Sequence, residues 1–200
     1  MNDAPAGEPE YRRFVLGKHK LSARGDDVYE TVPVATRAVL RVERIPRKVW
    51  EPCAGRGAIV DELRAVGHEV CAQDLVDFGI PGQHARRDFL MELAAPAGFG
   101  ADVMNPPYKL AQQFVEHALD LVPLVIVLLR LTFIEGMRRR DLLDSGHLAR
   151  MHVFANRLPM MHRDGWQGTK ASSAVPYCWF VFDRTYTGPT VIQRVTWRRS

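Results

Sequence analysis

The chain has 200 residues, 46% hydrophobic and 25% charged, with 13 Pro and 15 Gly. This is ordinary globular composition, and a chain of this size buries roughly 70% of its unfolded surface, so it needs no metal or disulfide staple. The length predicts one domain with at most a small appendage, and no room for a second full-sized recognition domain.

No apolar run approaches the roughly 20 residues of a membrane span. The longest, Leu119 to Leu129, is interrupted by Asp120 and Pro123. Met1 to Glu10 is polar and Pro-rich, without the hydrophobic core of a signal peptide. The cysteines are Cys53, Cys71 and Cys178, an odd set without CxxC spacing. That argues against a disulfide framework or a zinc site. These observations predict a cytoplasmic protein with no membrane association and no metal. The net charge of +4 divides unevenly, +7 over residues 130–200 against −3 over residues 1–129. A basic C-terminal third suggests an anionic partner, nucleic acid first.

Residues 1–28 are predicted to form a polar, basic and partly disordered arm. Thr31 to Arg44 places Val34, Ala38, Val39 and Val42 at helical spacing, and Pro33 suits a first turn. Lys48–Glu51 is a short strand candidate, followed by a turn at Pro52–Gly57. Ala58 to Val66 has helical period and Gly67 closes it. His68–Asp74 is a second strand, and a weaker third precedes Asp88. Ala101–Met104 is a fourth, ending in Asn105-Pro-Pro-Tyr108. Leu110–Leu121 is helical. Leu124–Leu129 is continuously apolar, as in a central parallel strand covered on both faces. Ile134–Leu143 is predicted helical and Met151–Phe154 a strand. Tyr177–Asp183 and Thr190–Trp197 are expected to form an antiparallel hairpin at the sheet edge. Such alternation predicts an α/β fold with a mostly parallel central sheet and helices on both faces.

Two turns carry the chemistry. Glu51-Pro-Cys-Ala-Gly-Arg-Gly57 joins a strand to a helix, and Gly55 and Gly57 let a ligand approach the backbone. A dinucleotide turn would need glycine at position 60, where Val stands, and a P-loop would need Lys and Ser or Thr. Glu51 would repel phosphate and suit a positively charged cofactor such as S-adenosylmethionine. Asp74 ends the next strand, where a carboxylate can accept both ribose hydroxyls. In Asn105-Pro106-Pro107-Tyr108 the prolines remove two N–H donors. The Asn105 side-chain oxygen and the Pro106 carbonyl remain as rigid acceptors, suited to a planar NH2 group. Tyr108 supplies a flat face for the attached π-system.

With both turns in place, the chain resembles the class I S-adenosylmethionine-dependent methyltransferases, above all those that modify the adenine amino group in DNA. The resemblance covers about residues 29–185. It implies a Rossmann-like fold and a catalytic domain over 29–200, with a substrate loop at about 156–173. It implies that Asn105, Pro106, Pro107 and Tyr108 are catalytic. It further implies that the cofactor is held by Thr31, the turn residues Glu51, Pro52, Cys53, Ala54, Gly55 and Gly57, then Asp74, Asp88, Phe89 and Asn105. Thr31 belongs to the segment Tyr29–Thr36, which matches the family loosely; the Asn-Pro-Pro-Tyr match is residue for residue. Transfer is expected to be direct, so Cys53 is read as a packing residue and not as a nucleophile. DNA phosphates are assigned to Arg138, Arg139, Arg157, Arg163 and Lys170, and Met160, Met161 and Trp166 are candidate walls of a base pocket.

RNA amino-methylation ranks second and release-factor glutamine methylation third. A methyltransferase-like module that binds nucleic acid without catalysis is the alternative of another class. The short length predicts relaxed or short-site specificity, or recognition borrowed from a homodimer or a separate partner.

Overall fold

The computed structural model describes residues 30–160 and 175–198. The arm at 1–28 and the greater part of the loop at 156–173 lie outside the described residues. The elements run α1 (Pro33–Leu40), β1 (Lys48–Glu51), α2 (Ala58–Ala65), β2 (Glu69–Asp74), β3 (His84–Ala85), β4 (Ala101–Met104), α3 (Ala111–Leu121), β5 (Leu124–Arg130), α4 (Arg140–Leu143), β6 (Leu148–Phe154), β7 (Tyr177–Asp183) and β8 (Val191–Val195).

The strands form one sheet in the order β3-β2-β1-β4-β5-β7-β6-β8. The first five in that row are mutually parallel, and β7 runs antiparallel to both β5 and β6. β5 is buried along its middle, as its unbroken apolar run requires. Its alternate residues feed two cores. Val125, Val127 and Leu129 face α3 through Phe114, Val115 and Ala118, together with Trp50, Met104 and Phe180. Ile126 and Leu128 face α1 and α2 through Ala35, Val39, Ile59 and Leu63, together with Trp179. Period-2 strands flanked by amphipathic helices thus place a helical layer on each face.

α1 is fixed from two sides. The Trp179 indole N–H donates to the Ala35 carbonyl at 2.9 Å. Arg37 makes a bidentate pair with Glu62 of α2, at 2.6 and 2.7 Å. Farther along, the Glu43 carboxylate receives Arg150 Nε at 2.6 Å and His152 Nε2 at 2.5 Å. This cluster ties the segment after α1 to β6.

The parallel sheet and the two helical layers match expectation, but the predicted C-terminal hairpin does not form. β7 does not pair with β8. It inserts between β5 and β6, and β8 lies parallel to β6 at the edge. The reason is burial. Six consecutive residues of β7 are buried, which an edge strand cannot supply, whereas four of the five residues of β8 are exposed. The predicted helix at 134–143 is also corrected. Gly136, at φ 100°, splits it into 3-10 turns at Leu131–Ile134 and Met137–Arg139 before α4. No helix among the described residues is long and apolar enough to cross a membrane.

Candidate active site

β1, β2, β4 and β5 end along one edge of the sheet, which gathers the predicted residues. Open α/β sheets bind ligands outside these carboxyl ends. After β1 the chain turns through Gly55 at φ 51° and Gly57 at φ 89°. A Cβ on Gly57 would meet Ile80 Cδ1 at 3.2 Å, whereas one on Gly55 would meet nothing within 4 Å. Space therefore opens above Gly55, where a ligand can reach the backbone.

Gly57 caps α2 but has no side chain with which to cap it. Glu51 compensates by accepting the Val60 N–H. Its other oxygen, Oε2, is buried with no hydrogen-bond partner among the described residues. Burial first, and then the neighbouring Asp74, push the Glu51 carboxyl well above the usual carboxylate range. Asp74 accepts Gly55 N–H at 2.8 Å and Val76 N–H at 2.9 Å. Burial raises its pKa, and those N–H groups oppose the rise. Asp88 caps the next turn by accepting Leu90 N–H at 3.1 Å. Phe89 departs from expectation. Its ring lies in the core, with centroids 5.2 Å from Trp50 and from Phe114, so its side chain does not face the cleft.

The two turns meet. The Asn105 backbone N–H faces the Cys53 sulfur. Burial first, then Glu51 and Asp74, drive the Cys53 thiol well above its ordinary value. That direction disfavours the thiolate, which is the reactive form of a cysteine. The Asn105 side chain crosses to the start of the described chain, where Nδ2 donates to Thr31 Oγ1 at 3.0 Å. Pro106 is buried, and Tyr108 is half-buried. The Tyr108 ring lies 6.1 Å from that of Tyr177, with the Arg130 guanidinium 5.1 Å from its centroid.

The character of these strand ends decides what fits. Glu51, Asp74 and Asp88 present acceptors, and one Glu51 oxygen is buried without a donor among the described residues. Such a set suits a ligand bringing positive charge, hydroxyls and an amine, as S-adenosylmethionine does, and it opposes a phosphate. Among the described residues no group of three or more His, Cys, Asp or Glu is placed to hold a metal ion.

The predicted phosphate contacts are less uniform. Arg138 and Arg157 are exposed. Arg139 is not available in the same way. Its guanidinium donates to the carbonyls of Phe133 and Glu135 and lies 4.7 Å from the Phe133 ring centroid. It braces its own turn. Met160 is core, at 1% exposure. Met161, Arg163, Trp166 and Lys170 lie outside the described residues.

Two residues at or beneath the site escaped the sequence reading. Arg130 ends β5 against Tyr108, and its signal was a charge closing an otherwise apolar run. Asp102 sits inside β4 at 0% exposure, and both its carboxyl oxygens lack a partner among the described residues. Burial alone pushes it well above the usual carboxylate range.

No protein-family model matches the sequence, and no curated protein matches it. Solved structures do. A candidate RNA methyltransferase from Pyrococcus horikoshii superposes with TM-score 0.58 at 12% identity, covering 88% of this chain and 98% of the other. The 23S rRNA methyltransferase ErmE gives 0.52 at 18%, covering 80% and 70%. The modification subunit of a candidate type I restriction enzyme from Vibrio vulnificus gives 0.55 at 11%, covering 90% and 48%. On this likeness the chain has the Rossmann-like fold of the class I S-adenosylmethionine-dependent methyltransferases.

Proposed function

We propose that the chain transfers a methyl group from S-adenosylmethionine to the exocyclic amino group of adenine in DNA. The observation that carries this reading is the meeting of the Asn105-Pro-Pro-Tyr108 turn with the glycine turn at one sheet edge, through the Asn105 backbone N–H and Cys53, while the Asn105 side chain is tied to Thr31. Glu51, Asp74, Asp88 and the backbone at Gly55 would hold the cofactor. When bound, that group supplies an electrophilic methyl on a sulfonium.

The residues of the chain do the rest. Asn105 and the Pro106 carbonyl accept hydrogen bonds from the two N–H groups of the substrate amine, and one of those protons passes to water once the nitrogen carries the methyl. Holding both pulls the nitrogen toward tetrahedral geometry and frees its lone pair. Tyr108 offers a stacking face, worth about 1–3 kcal/mol per base, against the few kcal/mol needed to extract a base from a duplex. Positioning of this kind contributes about 7–11 kcal/mol in well-oriented reactions. Arg138 and Arg157 would hold phosphates, which positions a strand without reading its sequence.

A second reading, amino-methylation of RNA, has its own support, because two of the similar structures named above are described as RNA methyltransferases. The discriminating experiment incubates the protein with labelled cofactor and DNA, RNA or a release factor in parallel. Mass spectrometry of the digested nucleosides identifies the modified atom. N6-methyladenine from DNA is the expected product. Label in RNA alone transfers the assignment to the second reading, and label in the release factor alone removes nucleic acid as substrate.

A further inference from the structure

We propose that Thr31 is a positioning residue: its hydroxyl accepts from the Asn105 side-chain nitrogen, so that the oxygen, itself buried in this structure, is the end kept for the substrate amine. This rests on the reading of Asn105 as the acceptor for that amine.

An amide carries a donor and an acceptor at opposite ends of nearly equal size. Turned the wrong way, Asn105 would offer N–H groups to a substrate that itself brings N–H groups. The productive orientation therefore needs an acceptor for Nδ2 on the protein side. Thr31 Oγ1 occupies that place at 3.0 Å, and Thr31 is only 5% exposed, so little water can substitute. A buried N–H left without its acceptor is costly.

Both ends of this bond are anchored. Thr31 sits two residues before α1, whose first turn closes through Ala35 N–H to the Val32 carbonyl at 2.9 Å. That helix is locked to β7 by Trp179 and to α2 by Arg37. Asn105 is held by β4 before it and by two prolines after it. The bond spans 74 residues of sequence and joins two fixed backbones.

The test compares Thr31→Val, which keeps the shape without the acceptor, with Thr31→Ser, which keeps the acceptor. At saturating cofactor, Thr31→Val should lower the methyl-transfer kcat by about tenfold, the population cost of one lost hydrogen bond, and Thr31→Ser should restore it. A second readout does not depend on turnover. The Asn105 side-chain NH2 resonances, identified by their loss in Asn105→Asp, should be protected from exchange in the wild type and in Thr31→Ser. In Thr31→Val they should shift and exchange faster. Unchanged resonances in Thr31→Val overturn the proposal. So does a Thr31→Val variant whose only defect is weaker cofactor binding. If the wild type methylates no amine, the proposed function falls, and the resonances alone decide what Thr31 does.

Discussion

Two regions bury carboxylates in opposite ways. Near β6, Glu43 is met by Arg150 and His152. Burial alone would raise its pKa, but the hydrogen bonds from His152 and Arg150 hold it below the ordinary value. At the sheet edge and just beneath it, Glu51 and Asp102 are buried with no cation hydrogen-bonded to them among the described residues, and both are driven well above the carboxylate range. The same chemical group is a brace in one place and an uncompensated burden in the other. A buried carboxyl with no charged partner is driven toward its neutral form, and such a group persists only where something else requires it. We read the Glu51 burden as readiness for a cationic ligand.

The contrast predicts that substitutions in the two regions fail differently. Asn105→Ala should cost 10²-fold or more in methyl transfer, about the loss seen when one preorganised polar contact leaves a reacting group. Its melting temperature and cofactor affinity should stay near wild type. Undiminished turnover would remove Asn105 from the chemistry. Glu43→Ala should do the reverse, losing about 3 kcal/mol of folding stability because His152 and Arg150 are left facing a gap. Chemical denaturation reads this directly. The loss should be largest near neutral pH, since a depressed folded pKa stabilises above the unfolded value and that contribution disappears as pH falls through the folded one. A Glu43→Ala variant of wild-type stability would break the contrast from its structural side.

Asp74→Ala should weaken cofactor binding by about tenfold, the order expected for loss of a hydrogen bond to a charged acceptor, with calorimetry as the readout. The smallest effect belongs to Asp102→Asn, which should stabilise the fold by about 1 kcal/mol at neutral pH. Here the sign is inverted. A raised folded pKa contributes stability below the unfolded value and loses it as pH rises through the folded one. The gain should accordingly vanish in acid, where Asp102 is protonated in both states. A destabilised Asp102→Asn at neutral pH would show that the carboxylate has a role of its own.

Much of this was legible in the sequence, and the failures have physical causes. β7 is an apolar run and β4 stops at the Asn-Pro-Pro turn, so their limits could be read directly. The Asn-Pro-Pro-Tyr turn was legible because two prolines and an asparagine admit few backbone arrangements. The pairing of β7 with β5 and not with β8 was not legible. Adjacency in sequence favours a hairpin, and only the competition for the sheet interior, won by six buried residues, decides otherwise. Gly136 could have signalled the break in the predicted helix, but its positive φ is set by the tertiary path. Phe89 follows Asp88 directly, yet a turn of the backbone sends one side chain to its own cap and the other into the core. The Thr31–Asn105 bond joins residues too far apart for any local pattern to announce.

We propose that the acceptor-rich sheet edge takes a cationic cofactor and an amine substrate. Nucleoside mass spectrometry after incubation with labelled S-adenosylmethionine and adenine-containing DNA tests it most directly. N6-methyladenine is expected from the wild type and almost none from Asn105→Ala. Label that appears at any other atom, or equally with both proteins, would contradict it.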